Sequence, residues 1–235
     1  MANYVDYLSE NNKSATIRRR INSLGTVLKL SKNHDPTKDP EVILALKRML
    51  RKIGRAQEQA TPLTKSLLNQ LLNNCDNSVM GIRNQVLLRV GYETMRRRSE
   101  LCAFKFEDTT CAPNRKPIIR LNFSKTDQYG AGKIFPISEE LLNLLEKWNE
   151  IVGDGGYILR SINKHGHIGD SLNPASISTI LKTLQEGLKS GSNQQPLSGH
   201  SFRVGAALDL LEQGEPLEKI MLRGGWRRIR LLRSI

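Results

Sequence analysis

The apolar pattern of this chain predicts a mainly helical fold with one small β-hairpin or sheet, an α+β arrangement. Three observations carry that expectation. Apolar residues recur at helical spacing over most of the 235 residues. Period-two alternation is confined to residues 117–123 and 133–137, on either side of a run of turn formers. Hydrophobic content is 38% but aromatic content only 5%, enough for a core built from aliphatic side chains.

Charge narrows the function classes. Lysine and arginine total 36 against 23 acidic residues, a formal net charge of +13. Such an imbalance favours a polyanionic partner, nucleic acid ahead of an anionic membrane surface. No apolar run approaches the length of a membrane span, and the first ten residues carry no secretory pattern. A cytoplasmic, nucleoid-associated protein is expected. Cys75, Cys102 and Cys111 show no paired spacing, which suits a reducing compartment. His165-Gly166-His167 has no accompanying Cys or carboxylate spacing and reads as a loop tip. Neither metal nor cofactor is expected.

The elements follow in order. Ser14 is placed to cap a helix to about Leu30, with Ile17, Ile21, Leu24 and Leu28 as its apolar stripe. Arg18, Arg19 and Arg20 fan away from that stripe. Asp39-Pro40-Glu41 opens a second helix, with acid near the positive end and Pro in the first turn. Its expected stripe is Ile43, Leu46, Leu50 and Ile53. Lys47, Arg48, Arg51, Lys52 and Arg55 cover the other face, with no Asp or Glu between Lys47 and Arg55. A face of one sign suits a row of phosphates. Residues 1–60 hold 12 basic and 6 acidic residues, hence +6. The polar stretch 54–61 reads as a linker, so a domain boundary is expected near residue 60.

Pro62 and Thr64 open a helix over 67–72, and residues 79–95 form a longer one with Val86, Leu87, Val90 and Tyr92 inward. Ser99 is placed to cap a short helix to Phe104. The alternating stretches 117–123 and 133–137 pair as a hairpin across Ser124-Lys125-Thr126-Asp127-Gln128-Tyr129-Gly130-Ala131-Gly132. Ser138 caps a helix that buries Leu141, Leu142, Leu145, Trp148 and Val152. A turn at 153–156, a short strand at 157–160 and a basic loop at 162–172 follow. Asn173-Pro174 starts a helix to about Leu188.

The most informative stretch is Leu197-Ser198-Gly199-His200-Ser201-Phe202-Arg203-Val204-Gly205-Ala206-Ala207. Ser198 or Ser201 caps a helix there, with His200 at its start and Arg203 in its first turn. A helix N-terminus already offers free N–H groups and partial positive charge. An imidazole and a guanidinium added there suit an anionic oxygen, most naturally a phosphate.

The helix breaks at Gly214, restarts at Pro216 and closes at Arg223-Gly224-Gly225-Trp226. This His-x-x-Arg, Gly break, Pro restart and Gly-Gly-Trp resembles the C-terminal active-site box of the tyrosine recombinases, the phage integrase family. Thr94-Met95-Arg96-Arg97-Arg98-Ser99-Glu100-Leu101 resembles the family's first arginine box, an Arg followed three positions later by Glu. The resemblance makes Arg97 the first catalytic arginine, by its spacing to Glu100, which orients the site. Arg96 and Arg98 stand where relatives usually carry apolar residues. Ser124-Lys125-Thr126 on the hairpin resembles the family's catalytic-lysine motif, so Lys125 is the implied general acid. Arg203 is the second arginine, with His200 assisting, and Trp226 occupies the place where relatives put His or Trp beside the phosphate.

The resemblance further implies a catalytic domain over 61–235, preceded at 1–60 by part of a helical domain that clamps DNA. Arg18, Arg19, Lys47, Arg48, Arg51, Lys52 and Arg55 are its candidate DNA contacts. Duplex DNA and other recombinase protomers are the implied partners. The implied activity is metal-free breaking and rejoining of DNA through a tyrosine nine positions after the His/Trp. Here that position is Ile235, and the five tyrosines, Tyr4, Tyr7, Tyr92, Tyr129 and Tyr157, all precede the box. A chain truncated at both ends or frame-shifted after Trp226, lacking the nucleophile and its C-terminal helix, is therefore expected to be inactive alone. The alternative is a DNA-binding remnant or modulator of recombination sites. An unrelated basic regulator ranks lowest, since no compact helix-turn-helix stands out.

Overall fold

A computed structural model describes residues 1–55, 60–123, 132–153, 155–188 and 195–226. It divides into two compact units, Met1–Glu58 and Gln59–Ile235. Among the described residues there are ten α-helices and one three-stranded sheet. None of those helices is long and apolar enough to cross a membrane.

The first unit packs α1 (Ala2–Ser9), α2 (Ser14–Leu30) and α3 (Pro40–Ile53) around Val5, Leu8, Ile17, Ile21, Val42, Ala45 and Met49. The sequence reading did not foresee α1, which is short and has no side-chain cap. Lys13, not Ser14, is the N-cap of α2, and Ser14 is buried in its first turn. On α2, Ile17 and Ile21 are buried as expected, but Leu24 is exposed and Gly25 takes its inward place. A Cβ on Gly25 would meet Thr37 Oγ1 at 2.8 Å, so the connection after α2 needs that gap. On α3 the buried stripe is Val42, Ala45 and Met49, flanked by Leu46 and Leu50, while Ile43 and Ile53 are exposed. The helix is rotated from the expected stripe because three helices meet closely. The small Ala45 and pliant Met49 fill that seam better than two β-branched side chains.

The second unit is built around α5 (Val79–Thr94), which buries residues on every side. It packs with α4 (Lys65–Asn73), α7 (Glu139–Val152) and α9 (Ser201–Glu212), in a core holding Leu87, Leu88, Phe104, Trp148 and Phe202. Ser78 caps α5 and Ser138 caps α7, each accepting from the amide three residues on. Leu141, Leu145 and Trp148 form the buried stripe of α7, and the Trp148 N–H donates to the Ile158 carbonyl at 2.7 Å.

The sheet runs β1 (Thr109–Cys111), β2 (Pro117–Leu121), β3 (Lys133–Pro136), all antiparallel, with Ile119 opposite both Thr109 and Phe135. The hairpin strands match the alternation, and β1 adds an edge too short to leave a periodic signal. The expected strand at 157–160 is only a bridge from Tyr157 to Lys105. Gly155 and Gly156 take positive φ, and the Arg160 guanidinium binds the carbonyls of Tyr157 and Val152, which curls the segment into a turn. The helix expected from Asn173 starts later, as α8 (Ser176–Glu186), because the Asn173 side chain accepts from the Ala175 amide and holds a turn first.

Candidate functional site

Three pieces of chain build the site: the junction after α5, the start of α9 and the end of α10 (Leu217–Gly224). Each brings an arginine or its seat.

At the first, α5 stops where Met95 turns left-handed, with φ 55°. The next three arginines leave the turn in different directions. Arg96 points inward and is 2% exposed. Arg97 is the N-cap of α6 (Arg98–Leu101), so the expected cap Ser99 lies inside that helix. Arg98 runs past Gly199 and donates to the Ser178 hydroxyl at 3.2 Å. A Cβ on Gly199 would sit 2.1 Å from Arg98 Cγ, so the glycine is what admits that side chain. Glu100 is 3% exposed. Its carboxylate accepts from the Arg97 amide at 3.2 Å and from the Arg97 guanidinium at 2.8 Å. The capping carboxylate and the partner of the arginine are therefore one group.

At the second, His200 is the N-cap of α9 and makes no side-chain cap bond. Neither serine caps as expected. The Ser201 hydroxyl accepts from the Ser198 amide at 2.9 Å, and the Ser198 hydroxyl accepts from the His200 amide at 3.3 Å. That exchange fixes the turn before the helix. Residues Ser201 to Ala207 are buried, and a Cβ on Gly205 would lie 1.9 Å from the Leu63 carbonyl oxygen. The start of α9 is thus locked against the backbone that enters α4.

At the third, Gly225 takes φ 68° after α10, and the Trp226 amide donates to the Met221 carbonyl at 3.0 Å. This is a glycine-ended helix stop. It folds the indole back over Gly224, where a Cβ would lie 1.9 Å from the ring. Arg203 meets that end from α9. It donates to the Gly224 carbonyl at 2.7 Å and its Cζ lies 4.9 Å from the Trp226 ring centre. Among the described residues its buried Nε has no hydrogen-bond partner.

Arg97, Arg98, Gly199, His200, Arg203 and Trp226 line one cleft of about 390 Å³. Of the residues singled out in the sequence, it brings together Arg97, His200, Arg203 and Trp226, with Glu100 behind Arg97. Lys125 lies outside the described residues. Among the described residues no three His, Cys, Asp or Glu side chains group as metal ligands.

The electrostatics are unbalanced. Among the described residues, Arg96 and Arg97 share the Glu100 carboxylate, while the buried Arg203 has no ion-pair partner of its own. Buried charge is costly unless paired. Burial, then repulsion from Arg97 and Arg96, pushes Arg203 down to about 10, against the pull of Glu100. Burial also pushes Arg96 down to about 10. Both stay cationic at neutral pH. Desolvation, then the charges of Arg203 and Arg97, lowers the pKa of His200, so its ring is neutral there. An anion in this cleft would meet a surplus of positive charge.

In the first unit, Arg18, Arg19, Lys47, Arg51, Lys52 and Arg55 are exposed. Arg48 pairs with Asp6 of α1 at 3.0 Å, and Arg48 and Lys52 border a recess shared with Asp6 and Glu10. The face expected to carry only positive charge is therefore mixed along this edge. The missing information was α1, which brings acids from far earlier in the chain. Sequence reasoning also missed Arg98 as a cleft residue and Arg96 as a buried one. The spacing to Glu100 set Arg97 apart, but nothing in the run says that Arg96 rather than Arg98 turns in.

Residues 61–234 match the phage integrase family. The chain is 26% identical to the recombinase Cre of Escherichia phage P1, over 92% of this chain and 68% of that protein. It is 29% identical to an integrase/recombinase XerD homologue of Selenomonas ruminantium, over 88% of this chain and 63% of that protein. Among solved structures, the Tn1549 transposon integrase in complex with transposon right end DNA superposes with a TM-score of 0.72 at 16% identity, over 99% of this chain and 78% of that one. A lambda integrase dimer bound to a core site gives 0.64 at 15% identity, over 95% and 59%.

Proposed function

Because the chain belongs to the phage integrase family, we propose that it acts in site-specific DNA recombination and that its cleft receives the scissile phosphate of a duplex. The observation that supports this reading most is the cleft itself, where Arg97, Arg98, Arg203 and His200 border one space and, among the described residues, the carboxylate paired with Arg97 is that of Glu100. A phosphodiester under attack gathers negative charge on its non-bridging oxygens, and fixed guanidiniums lower that barrier. Arg97 and Arg203 take that role. His200 donates to the same oxygens, and Trp226 packs beside the phosphate. Lys125 is the proposed general acid for the leaving oxygen. Duplex DNA and further protomers are the proposed partners, with Arg18, Arg19, Lys47, Arg48, Arg51, Lys52 and Arg55 contacting flanking DNA from a clamping domain.

The nucleophile is the point of difference. Nine positions after Trp226 stands Ile235, whose side chain cannot attack phosphorus. We therefore propose that the polypeptide 1–235 binds and engages DNA but makes no covalent link by itself. The same observation favours a second role, occupancy or modulation of recombination sites used by an intact relative.

The test is incubation with a nicked suicide duplex followed by denaturing electrophoresis. No protein–DNA adduct is expected, and an adduct at any residue would overturn the inactivity. In parallel, Arg97→Ala and Arg203→Ala should each weaken duplex binding by about 1–3 kcal/mol, the value of a charge-assisted contact. Binding unchanged in both variants would remove the phosphate from this cleft. Mixing the protein with an intact relative and scoring recombination separates a modulator from an inert binder.

A further inference from the structure

The first arginine of the run stays out of the cleft, and its surroundings carry an inference that rests on the phosphate-binding reading. Arg96 Nε donates to the Thr94 carbonyl at 2.9 Å, and its Nη2 donates to the Arg223 carbonyl. Its Nη1 lies 3.8 Å from the Glu100 carboxylate, and its Cζ lies 4.4 Å over the Phe135 ring. Arg223 reaches back the other way. Its Nε and Nη2 donate to the Glu93 carbonyl at 3.2 and 2.9 Å. The ends of α5 and α10 are therefore clamped in both directions.

Two consecutive carbonyls at the end of α10 each hold a different arginine. Residue 223 accepts from Arg96 and residue 224 from Arg203. A helix C-terminus offers unpaired carbonyls and partial negative charge, so guanidiniums seat well there. Filling the interior needs no charge, however. A methionine or leucine would occupy the same space without desolvating a cation. A buried arginine that touches the holder of Arg97 on one side and the seat of Arg203 on the other has a different use.

We infer that Arg96 is a positioning residue. Through the Arg223 carbonyl it fixes the last turn of α10, and with it Gly224 and Trp226, against Arg203. Through Glu100 it fixes the base of Arg97. The two arginines that receive the phosphate are thus aligned before an anion arrives, so binding spends nothing on ordering them.

The test uses the full chain labelled with fluorotryptophan, whose two tryptophans give separate fluorine resonances assigned with W226F. Arg96→Met, Arg96→Lys and Arg223→Gln are compared with the parent, with R97A and R203A as controls. Thermal midpoint and anisotropy with a labelled mixed-sequence duplex are measured on each. Arg96→Met should shift or broaden the Trp226 resonance and leave Trp148 in place, with any fall in thermal midpoint confined to the cost of the hydrogen bonds removed. It should weaken duplex binding about tenfold, the equivalent of one misaligned charge-assisted hydrogen bond. Arg96→Lys, which keeps a donor for the Arg223 carbonyl, should recover part of that loss, and Arg223→Gln should reproduce part of it. If Arg96→Met does not fold, the other two variants decide on the same criteria. A Trp226 resonance and duplex affinity like the parent's, while R203A still loses binding, would overturn the role of Arg96 and spare the reading it rests on. A fall in midpoint with movement of Trp148 would make Arg96 an ordinary structural residue. Duplex binding intact in both R97A and R203A would instead sink the phosphate reading itself.

Discussion

Arg203 is held between two features of one helix end, the Gly224 carbonyl at 2.7 Å and the face of the Trp226 ring at 4.9 Å. The tryptophan therefore acts on the arginine as well as on whatever fills the cleft. A cation over an indole gains about 0.5–2 kcal/mol, more when water is excluded. Trp226→Phe keeps a ring face and should retain most duplex affinity. Trp226→Leu should lower it by about tenfold, a loss within that range. Anisotropy on the two variants checks this, and equal loss in both would mean that the ring face is not what matters.

His200 gives a pH test with a defined sign. Its folded pKa is below the unfolded value, through desolvation and then the charges of Arg203 and Arg97. The unfolded chain binds the proton first, so this residue's contribution to stability is present above about pH 6.5 and declines as pH falls below it. A bound phosphate reverses the local preference, because it favours the imidazolium. Duplex binding should therefore take up a proton and tighten as pH falls from ~7.5 to ~5.5. His200→Gln should flatten the part of that slope due to this ring. An identical slope in parent and variant would show that His200 does not face the anion.

Two glycines separate fold from site. Gly205→Ala forces a methyl into the Leu63 backbone, which cannot give way, and should cost up to ~3 kcal/mol of stability. Gly224→Ala forces its methyl against the far edge of an indole, which can swing aside. It should leave the thermal midpoint close to the parent's while displacing Trp226 and weakening duplex binding. Denaturant melts and anisotropy on both variants check this. Loss of fold in Gly224→Ala would mean that Trp226 is a core residue first.

The cysteines report the integrity of the second unit. Burial pushes Cys102 up to about 11, and burial followed by the charge of Asp76 pushes Cys75 up to about 11, while Cys111 is exposed on the edge strand. Thiolate is the reactive form. Brief alkylation near neutral pH should therefore label Cys111 first, with Cys75 and Cys102 following only on unfolding. Mass spectrometry of the digest reads this out, and early labelling of Cys102 would contradict the packing around it.

The order of boxes along the chain was legible because each has a local cause. Ser138 announces a helix start, Gly214 with Pro216 a break and restart, and Gly224-Gly225 a stop. The mainly helical fold with its hairpin followed from periodicity alone. The α3 stripe did not, because Val42, Ala45 and Met49 and the predicted Ile43, Leu46 and Leu50 differ by one position on the wheel. Only the neighbouring helices choose between them. The mixed charge beside Arg48 was hidden for the same reason, since Asp6 lies on a helix the periodicity did not reveal.

By itself, the sequence determined the residue types of the cleft and the local turns that present them. Hydrogen-bonded caps and helical period are short-range effects, readable within a few residues. Tertiary structure alone decided that Arg96 points inward and that Arg98 passes Gly199 to join Arg97 at the cleft. Those directions depend on carbonyls and a ring supplied by segments up to 127 residues away, and no local pattern encodes a partner that arrives only on folding.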